Sequence, residues 1–219
     1  MGILDIFKKI KKPYKDSYVN NIYELLFCDY ELYRDYPNDK SAFPWNVLFL
    51  NNFNPIEVNN IIQNDNIESR IKILAYRILS ANGMVIDDKE LLAVIVEVGL
   101  DDGLDVLASF KDGTARYINQ SGKILIWENI DNTSINLTES LFERSNIIVN
   151  QIGPWNEPRR SHPEKGMVRI SFLVSDKLYF GEGPIKILFN DELAGPALLA
   201  ATYLMKYITE KSLSNDESI

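Results

Sequence analysis

The chain has 219 residues, 46% apolar and 25% charged, a composition that predicts a folded protein with one large domain or two small ones. Its formal net charge of −8 disfavours nonspecific nucleic-acid binding, because an acidic surface repels phosphate backbones. The single cysteine, Cys28, and the single histidine, His162, exclude an intrachain disulfide and any metal site needing two Cys or two His ligands.

Membrane insertion and export are not indicated by the sequence. No apolar run approaches the roughly 18 residues that a membrane span requires. Residues 1–12, MGILDIFKKIKK, have too short an apolar run for a signal-peptide core, and their lysines follow it. We therefore expect a cytoplasmic protein with no membrane span.

The first third of the chain predicts helices. Residues 3–10 have a short apolar face that ends before Pro13, and a longer amphipathic pattern predicts one helix over residues 17–35. Asn54-Pro55 is a helix start, because Asn caps and Pro fits the first helical position. The predicted helix covers residues 55–63.

The clearest helical stripe follows Asn66, its predicted cap. Apolar residues then recur at the helical period as far as Asn82-Gly83. Gly83 suits the left-handed conformation that commonly ends a helix.

The pattern then changes to strands. Leu91 to Val98 reads LLAVIVEV, a nearly continuous apolar run that predicts a strand buried on both faces. Asp-Gly and Ser-Gly pairs separate the strands that follow and favour tight hairpins. These strands are predicted over 104–110, 114–119 and 123–127, which together form an antiparallel meander.

A second run of elements completes the chain. It comprises a helix over 138–151, a polar loop over 153–166, a hairpin over 167–174 and 177–181, a strand over 185–189 and a helix over 196–211. The predicted class is α+β: an antiparallel sheet, made of meander plus hairpin, covered by helices, with an N-terminal helical segment. We divide the chain into a helical segment (1–86), an α+β region (87–212) and a flexible tail (213–219), with the first two packed as one unit.

One hairpin resembles a known repeat. Asp112 to Lys123 reads DGTARYINQSGK and is similar to one hairpin of the bacterial WG-type repeats, which carry a DG…YIN…GK pattern. The pattern occurs once here, whereas those repeats form arrays. Shared hairpin chemistry accounts for it, and no family membership follows.

The most unusual stretch is the loop over 153–166, GPWNEPRRSHPEKG. Its cations could chelate a phosphate or carboxylate, and its prolines would lower the ordering cost of binding. The alternative is a solvated connector with its Trp packed as an anchor. The candidate anion-binding residues are Trp155, Arg159, Arg160, His162 and Lys165.

Other chemistry has weaker signals. His162 could act as a general base only with a partner that the sequence does not identify, and an exposed loop His is the alternative. The acidic residues Asp101, Asp102 and Asp105 lack the remaining ligands of a calcium loop and fit a glycine-bearing turn. We therefore predict neither a metal nor a cofactor, and whether the chain is an enzyme stays open.

Two classes of function remain. The first is a non-catalytic interaction protein of bacterial type, accessory or toxin-neutralising, that binds another protein. Its grounds are the acidic surface, a tyrosine-rich first helical region and the absence of a recognisable catalytic constellation. The second is a small enzyme or sensor that binds an anionic ligand at the 153–166 loop.

Overall fold

The computed structural model describes residues 12–34, 39–49, 53–101 and 103–216, with side chains as far as residue 214. The helix predicted over 3–10 therefore lies outside the described residues. The helices are α1 (Ser17–Leu25), α2 (Tyr30–Arg34), α3 (Trp45–Phe49), α4 (Pro55–Gln63), α5 (Ser69–Ala81), α6 (Asn132–Val149), α7 (Ile185–Phe189) and α8 (Ala194–Asp216). The strands are β1 (Leu91–Gly99), β2 (Leu104–Phe110), β3 (Ala115–Ile118), β4 (Ile124–Trp127), β5 (Met167–Val174) and β6 (Leu178–Pro184).

The predicted α+β class is confirmed. The six strands form one antiparallel sheet in the order β4-β3-β2-β1-β5-β6. The meander β1 to β4 therefore occupies one side of β1, and the hairpin β5–β6 occupies the other. The N-terminal helical segment is present, and α5 packs on β1.

Helices cover both faces of the sheet. The first core lies on one face, where buried residues of α1, α4 and α5 meet those of the sheet. The second core lies on the opposite face, beneath α6 and α8. β1 serves both cores because successive side chains of a strand point to opposite faces: Ile95 joins the first core, and Val94 and Val96 join the second.

Local signals at two helix ends fit the structure, and a third helix begins earlier than predicted. The Asn54 side chain accepts a hydrogen bond from the Ile56 backbone, as expected for a cap ahead of Pro55. Gly83 has a φ of 77°, as predicted for the residue after α5. Asp131 and Ser134 form a reciprocal capping box, so α6 begins six residues before the predicted Thr138.

Further predictions about the elements were wrong. The single helix over 17–35 is interrupted after Leu25, where Cys28 adopts a φ of 53°, outside the helical region. Asn66 is not the cap of α5, which begins at Ser69.

The stretch 185–189 is helix α7 rather than a strand. Pro184, which cannot donate a ladder hydrogen bond, ends β6. Ile185 and Leu188, three residues apart, then pack together against the second core. The last helix, α8, continues beyond the predicted residue 211 as far as Asp216.

Candidate functional site

The 153–166 loop is bound closely to the edge of the sheet. The Trp155 backbone donates a hydrogen bond to the Leu178 carbonyl at 2.8 Å and forms a bridge with the edge strand β6. At the other end of the loop, the Gly166 backbone donates to the Gly99 carbonyl at 2.9 Å. Gly99 is needed for this approach, because a Cβ there would lie 2.1 Å from the Glu164 carbonyl oxygen. The loop is therefore a strap that is fixed to the sheet at both ends, while most of its residues are exposed to solvent.

The charged group of Arg159 is paired with acidic residues of the protein itself. Its guanidinium forms ion pairs with Glu24, in α1, and with Asp29, whose Oδ2 lies 3.5 Å from Nε. The same group stacks 3.9 Å from the centroid of the Phe27 ring. Arg159 thus joins the loop to the interrupted first helix.

Arg160, the next residue, has different neighbours. Its exposed guanidinium lies 4.8 Å from the Trp155 ring centroid and 5.4 Å from that of Phe180. Trp155 is held in place by a hydrogen bond of 3.1 Å from its Nε1 to the Pro158 carbonyl. The two adjacent arginines are therefore engaged by different groups instead of forming one anion clamp.

The remaining two candidates are also engaged. Lys165 pairs with Asp101, at the turn after β1. The Nδ1 atom of His162 lies 3.1 Å from the Pro163 carbonyl, which fits a proton on Nδ1, and Nε2 is buried with no hydrogen-bond partner among the described residues. The basic nitrogen of that tautomer is thus directed into the protein. Anion binding by this loop stays a prediction.

A buried polar network lies beneath the strap, on the first-core face of the sheet. Glu97, in the middle of the sheet, is 0% exposed. Its Oε1 accepts a hydrogen bond of 2.6 Å from the Tyr23 hydroxyl, and its Oε2 lies 3.6 Å from the Arg169 guanidinium. Arg169 also pairs with Glu182, through a 2.6 Å hydrogen bond from Nε.

Arg169 connects this network to the strap. Its guanidinium donates to the backbone carbonyls of Arg160, at 3.3 Å, and Ser161, at 2.7 Å. Burial raises the pKa of the Glu97 carboxyl, although the Arg169 charge and the Tyr23 hydroxyl favour the carboxylate. The network therefore connects the strap to the sheet.

A pocket of about 510 Å³ opens elsewhere, between α1, the start of α5 and the edge strand β4. Its volume falls within the range typical of ligand pockets. We call it the Arg70–Arg116 pocket. Its lining is Tyr18, Ile22, Leu25, Leu26, Tyr33, Pro44, Trp45, Asn66, Ile67, Glu68, Arg70, Ile71, Arg116, Ile124 and Ile126.

Two guanidinium groups lie in the lining of this largely apolar pocket. The Arg116 side chain is 7% exposed and the Arg70 side chain 25%. Burial lowers the pKa of Arg116, and the nearby charge of Arg70 lowers it further. The two cations are therefore close enough to repel each other, and a shared anion would relieve this repulsion.

Each of these cations has a partner that is exposed to solvent. Arg70 pairs with Glu68, whose side chain is 53% exposed, and Arg116 pairs with Glu128, whose side chain is 62% exposed. If an incoming anion took their place at the guanidinium groups, both carboxylates could remain hydrated. In addition, the Nε of Arg70 is buried without an acceptor in the described part of the chain. The pocket can thus bind an apolar group that carries an anion.

Sequence reasoning missed both features. The pocket joins Trp45, Arg70 and Arg116, which are far apart in the chain, and no local pattern connects them. Glu97 and Arg169 did leave a signal, because each is the only charged residue of an otherwise apolar strand. Buried charges require partners, and pairing the two was therefore a possible prediction.

Comparisons with protein-family models, curated proteins and solved structures find no match. Within residues 12–34, 39–49, 53–101 and 103–216, no group of three or more His, Cys, Asp or Glu side chains is arranged to hold a metal ion. In that same part of the chain, no helix combines the length and apolar character that crossing a membrane requires.

Proposed function

We propose that this chain is a non-catalytic cytoplasmic interaction protein, accessory or toxin-neutralising in kind, which binds another protein at the Arg70–Arg116 pocket. The observation that carries the proposal is the apolar cavity of about 510 Å³ with two guanidinium groups in its lining. Such a cavity accepts an apolar side chain from a partner together with a nearby carboxylate. Arg and aromatic residues are also the types most enriched at the centres of protein interfaces.

The composition of the lining supports binding over catalysis. It contains two tyrosines, one tryptophan and several aliphatic residues, but neither His162 nor Cys28. Its single carboxylate, Glu68, is ion-paired with Arg70. No nucleophile–base pair is therefore available in this lining.

Cytoplasmic residence is supported by the state of Cys28. This cysteine is a free thiol buried in the first core. A fold that keeps its only cysteine reduced and buried suits a reducing compartment.

A pair of dyes tests the pocket chemistry. Anilinonaphthalenesulfonate combines an aromatic body with an anion, and N-phenylnaphthylamine has the same body without the sulfonate. We expect saturable fluorescence enhancement with both dyes. Arg70→Gln should weaken the sulfonated dye roughly tenfold, as expected from losing a charge-assisted hydrogen bond of about 1.5 kcal/mol. It should leave the affinity for the neutral dye unchanged.

The matched control is Arg144→Gln. Arg144 is an exposed arginine of α6, which covers the opposite face of the sheet. Equal loss in both variants, or no saturable binding by the wild-type protein, would contradict the pocket assignment. Circular dichroism of each variant checks that its fold is retained.

The alternative function, an enzyme or sensor binding an anion at the 153–166 loop, is supported by the exposed position of Arg160 over Trp155. It predicts that phosphate or sulfate changes the Trp155 fluorescence in a saturable way. Arg160→Ala should abolish that change, and Trp155→Phe should remove the signal. The absence of any saturable change at millimolar anion would eliminate this alternative.

A further inference from the structure

The two edge strands of the sheet, β6 and β4, have different neighbours among the described residues. The edge strand β6 is bridged by Trp155 of the strap, and it carries the charged residue Glu182. The other edge strand, β4, reads Ile-Leu-Ile-Trp and has no charge of its own. No strand of the described residues pairs with its outer side.

The register shows which backbone groups of β4 point away from β3. The Asn119 N–H donates to the Lys123 carbonyl, so residues 119 and 123 are a hydrogen-bonded pair of the β3–β4 ladder. Because such pairs alternate with non-hydrogen-bonded pairs, Leu125 and Trp127 bond to β3. Ile124 and Ile126 therefore direct their N–H and C=O groups away from β3.

Natural proteins protect open edges with charges, prolines, bulges or covering segments, because an unprotected edge pairs with other chains. β4 lacks a charge and a proline, and the Ile126 side chain is 61% exposed. An apolar edge in this condition is expected where a partner strand binds.

Depressions lie on both faces of this edge. On one face, Ile124 and Ile126 line the Arg70–Arg116 pocket. On the other face, Leu125 and Lys123 line a second depression of about 670 Å³, which reaches Leu213 in α8 and also borders Ile124 and Ile126. Successive side chains of an added strand would enter the two depressions alternately, since they point to opposite faces.

Resting on the proposed function, we infer that the partner presents an extended segment that adds to β4 as a seventh strand. Every second side chain of this segment is apolar and enters the Arg70–Arg116 pocket, accompanied by a carboxylate that Arg70 binds. The exposed Lys123 at the end of β4 favours further acidic residues in the segment. The ligand class is thus an extended apolar–acidic peptide.

The test is a selection of binding peptides from a displayed random library, with the 219-residue chain immobilised as the target. We expect the selected peptides to alternate apolar with polar or acidic residues, and to displace the sulfonated dye. Amide hydrogen exchange, followed by NMR, shows whether the bound peptide pairs with the backbone of β4. Peptide should slow the exchange of the Ile124 and Ile126 amides, while those of Leu125 and Trp127 are already protected by β3.

Two variants at one position separate backbone pairing from side-chain packing. Ile126→Pro removes an outward N–H without breaking the β3–β4 ladder, and should weaken peptide binding at least tenfold. Ile126→Val keeps the N–H and should bind within about threefold of the wild type, since it removes one methylene. Equal loss in both variants would overturn strand addition.

Other outcomes overturn the inference and identify a different occupant. Peptides that bind without protecting Ile124 and Ile126, or failure to select any peptide while the dye still binds, would remove strand addition and leave the pocket in place. Protection of these amides in the free chain that disappears when residues 1–11 are deleted would assign the edge to the chain's own segment. Protection that rises with protein concentration would assign it to a second copy.

Discussion

Replacing Arg169 by Met provides the strictest test of the buried network. Met has a similar length and no charge, so the variant removes the cation while retaining much of the packing. The Glu97 carboxylate, 0% exposed, would lose the only cation that the structure places in an ion pair with it among the described residues. Glu182 would lose its partner as well, and two carbonyls of the strap would lose a donor.

The expected loss in free energy of unfolding is about 3–5 kcal/mol, the range found when one member of a buried ion pair is removed. Glu97→Gln should cost less than about 1.5 kcal/mol. Its amide oxygen still accepts from the Tyr23 hydroxyl, and Arg169 keeps its ion pair with Glu182. The double variant should be more stable than the sum of the two single losses predicts, because Gln leaves no unpaired charge.

The pH dependence of the free energy of unfolding provides a second, independent test of the role of Glu97. The folded-state pKa of Glu97 is raised, mainly by burial, so the folded protein favours the protonated carboxyl. The contribution of Glu97 is therefore fully present below its unfolded pKa, and it is lost as pH rises through the folded pKa. Removing the Arg169 charge raises that folded pKa further. The deficit of Arg169→Met should thus grow as pH rises through the folded-state pKa of Glu97, and Glu97→Gln should suppress this growth.

Equilibrium unfolding in urea, followed by far-ultraviolet circular dichroism over a series of pH values above and below the unfolded-state pKa of Glu97, measures these quantities. A loss for Glu97→Gln equal to that for Arg169→Met would show that charge burial does not dominate. A deficit that stays constant over the whole pH range in which the protein is folded would show that Glu97 is not the group responsible.

Three further predictions concern packing. Leu74→Ala and Leu204→Ala should each lower the free energy of unfolding by about 2–5 kcal/mol, because both side chains are fully buried; urea titration measures this, and losses below about 0.5 kcal/mol would contradict it. Burial raises the pKa of Cys28 to about 12, so a thiol reagent at pH 8 should label the native protein far more slowly than the urea-unfolded protein; equal rates would mean that the thiol is accessible. Gly99→Ala should lower the free energy of unfolding by more than about 2 kcal/mol, because its Cβ would clash with the strap backbone. Gly153→Ala places its Cβ in open space and should change the free energy of unfolding by less than about 0.5 kcal/mol. Similar melting temperatures for the two variants would contradict the close approach of the strap to Gly99.

The fold was predictable where a local pattern decides the structure. The unbroken apolar run of β1 and the glycine turns after it gave the meander, and Asn54-Pro55 gave the start of α4. Local patterns failed where tertiary contacts decide. The break at Cys28 places Phe27 beneath Arg159 of the strap, a contact across more than a hundred residues of chain.

The candidate site was less predictable than the fold. The composition of the 153–166 loop indicated cations but not their partners, and Glu24 and Asp101 lie far from it in the chain. The pocket likewise depends on the packing of α1 and α5 against β4. Only the single charges within apolar strands, Glu97 and Arg169, could have been read directly from the sequence.

The strand order of the sheet has a consequence for the order of folding. Gly99 pairs with the nearby Leu104, whereas Val98 pairs with Val168, seventy positions further along the chain. Closing the shorter loop costs less chain entropy, so the meander can form before the β5–β6 hairpin docks on β1. In that order, the pairing of Glu97 with Arg169 belongs to the last stage. Loss of Arg169 should therefore accelerate unfolding and leave the refolding rate almost unchanged. The network would thus slow the unfolding of the complete sheet.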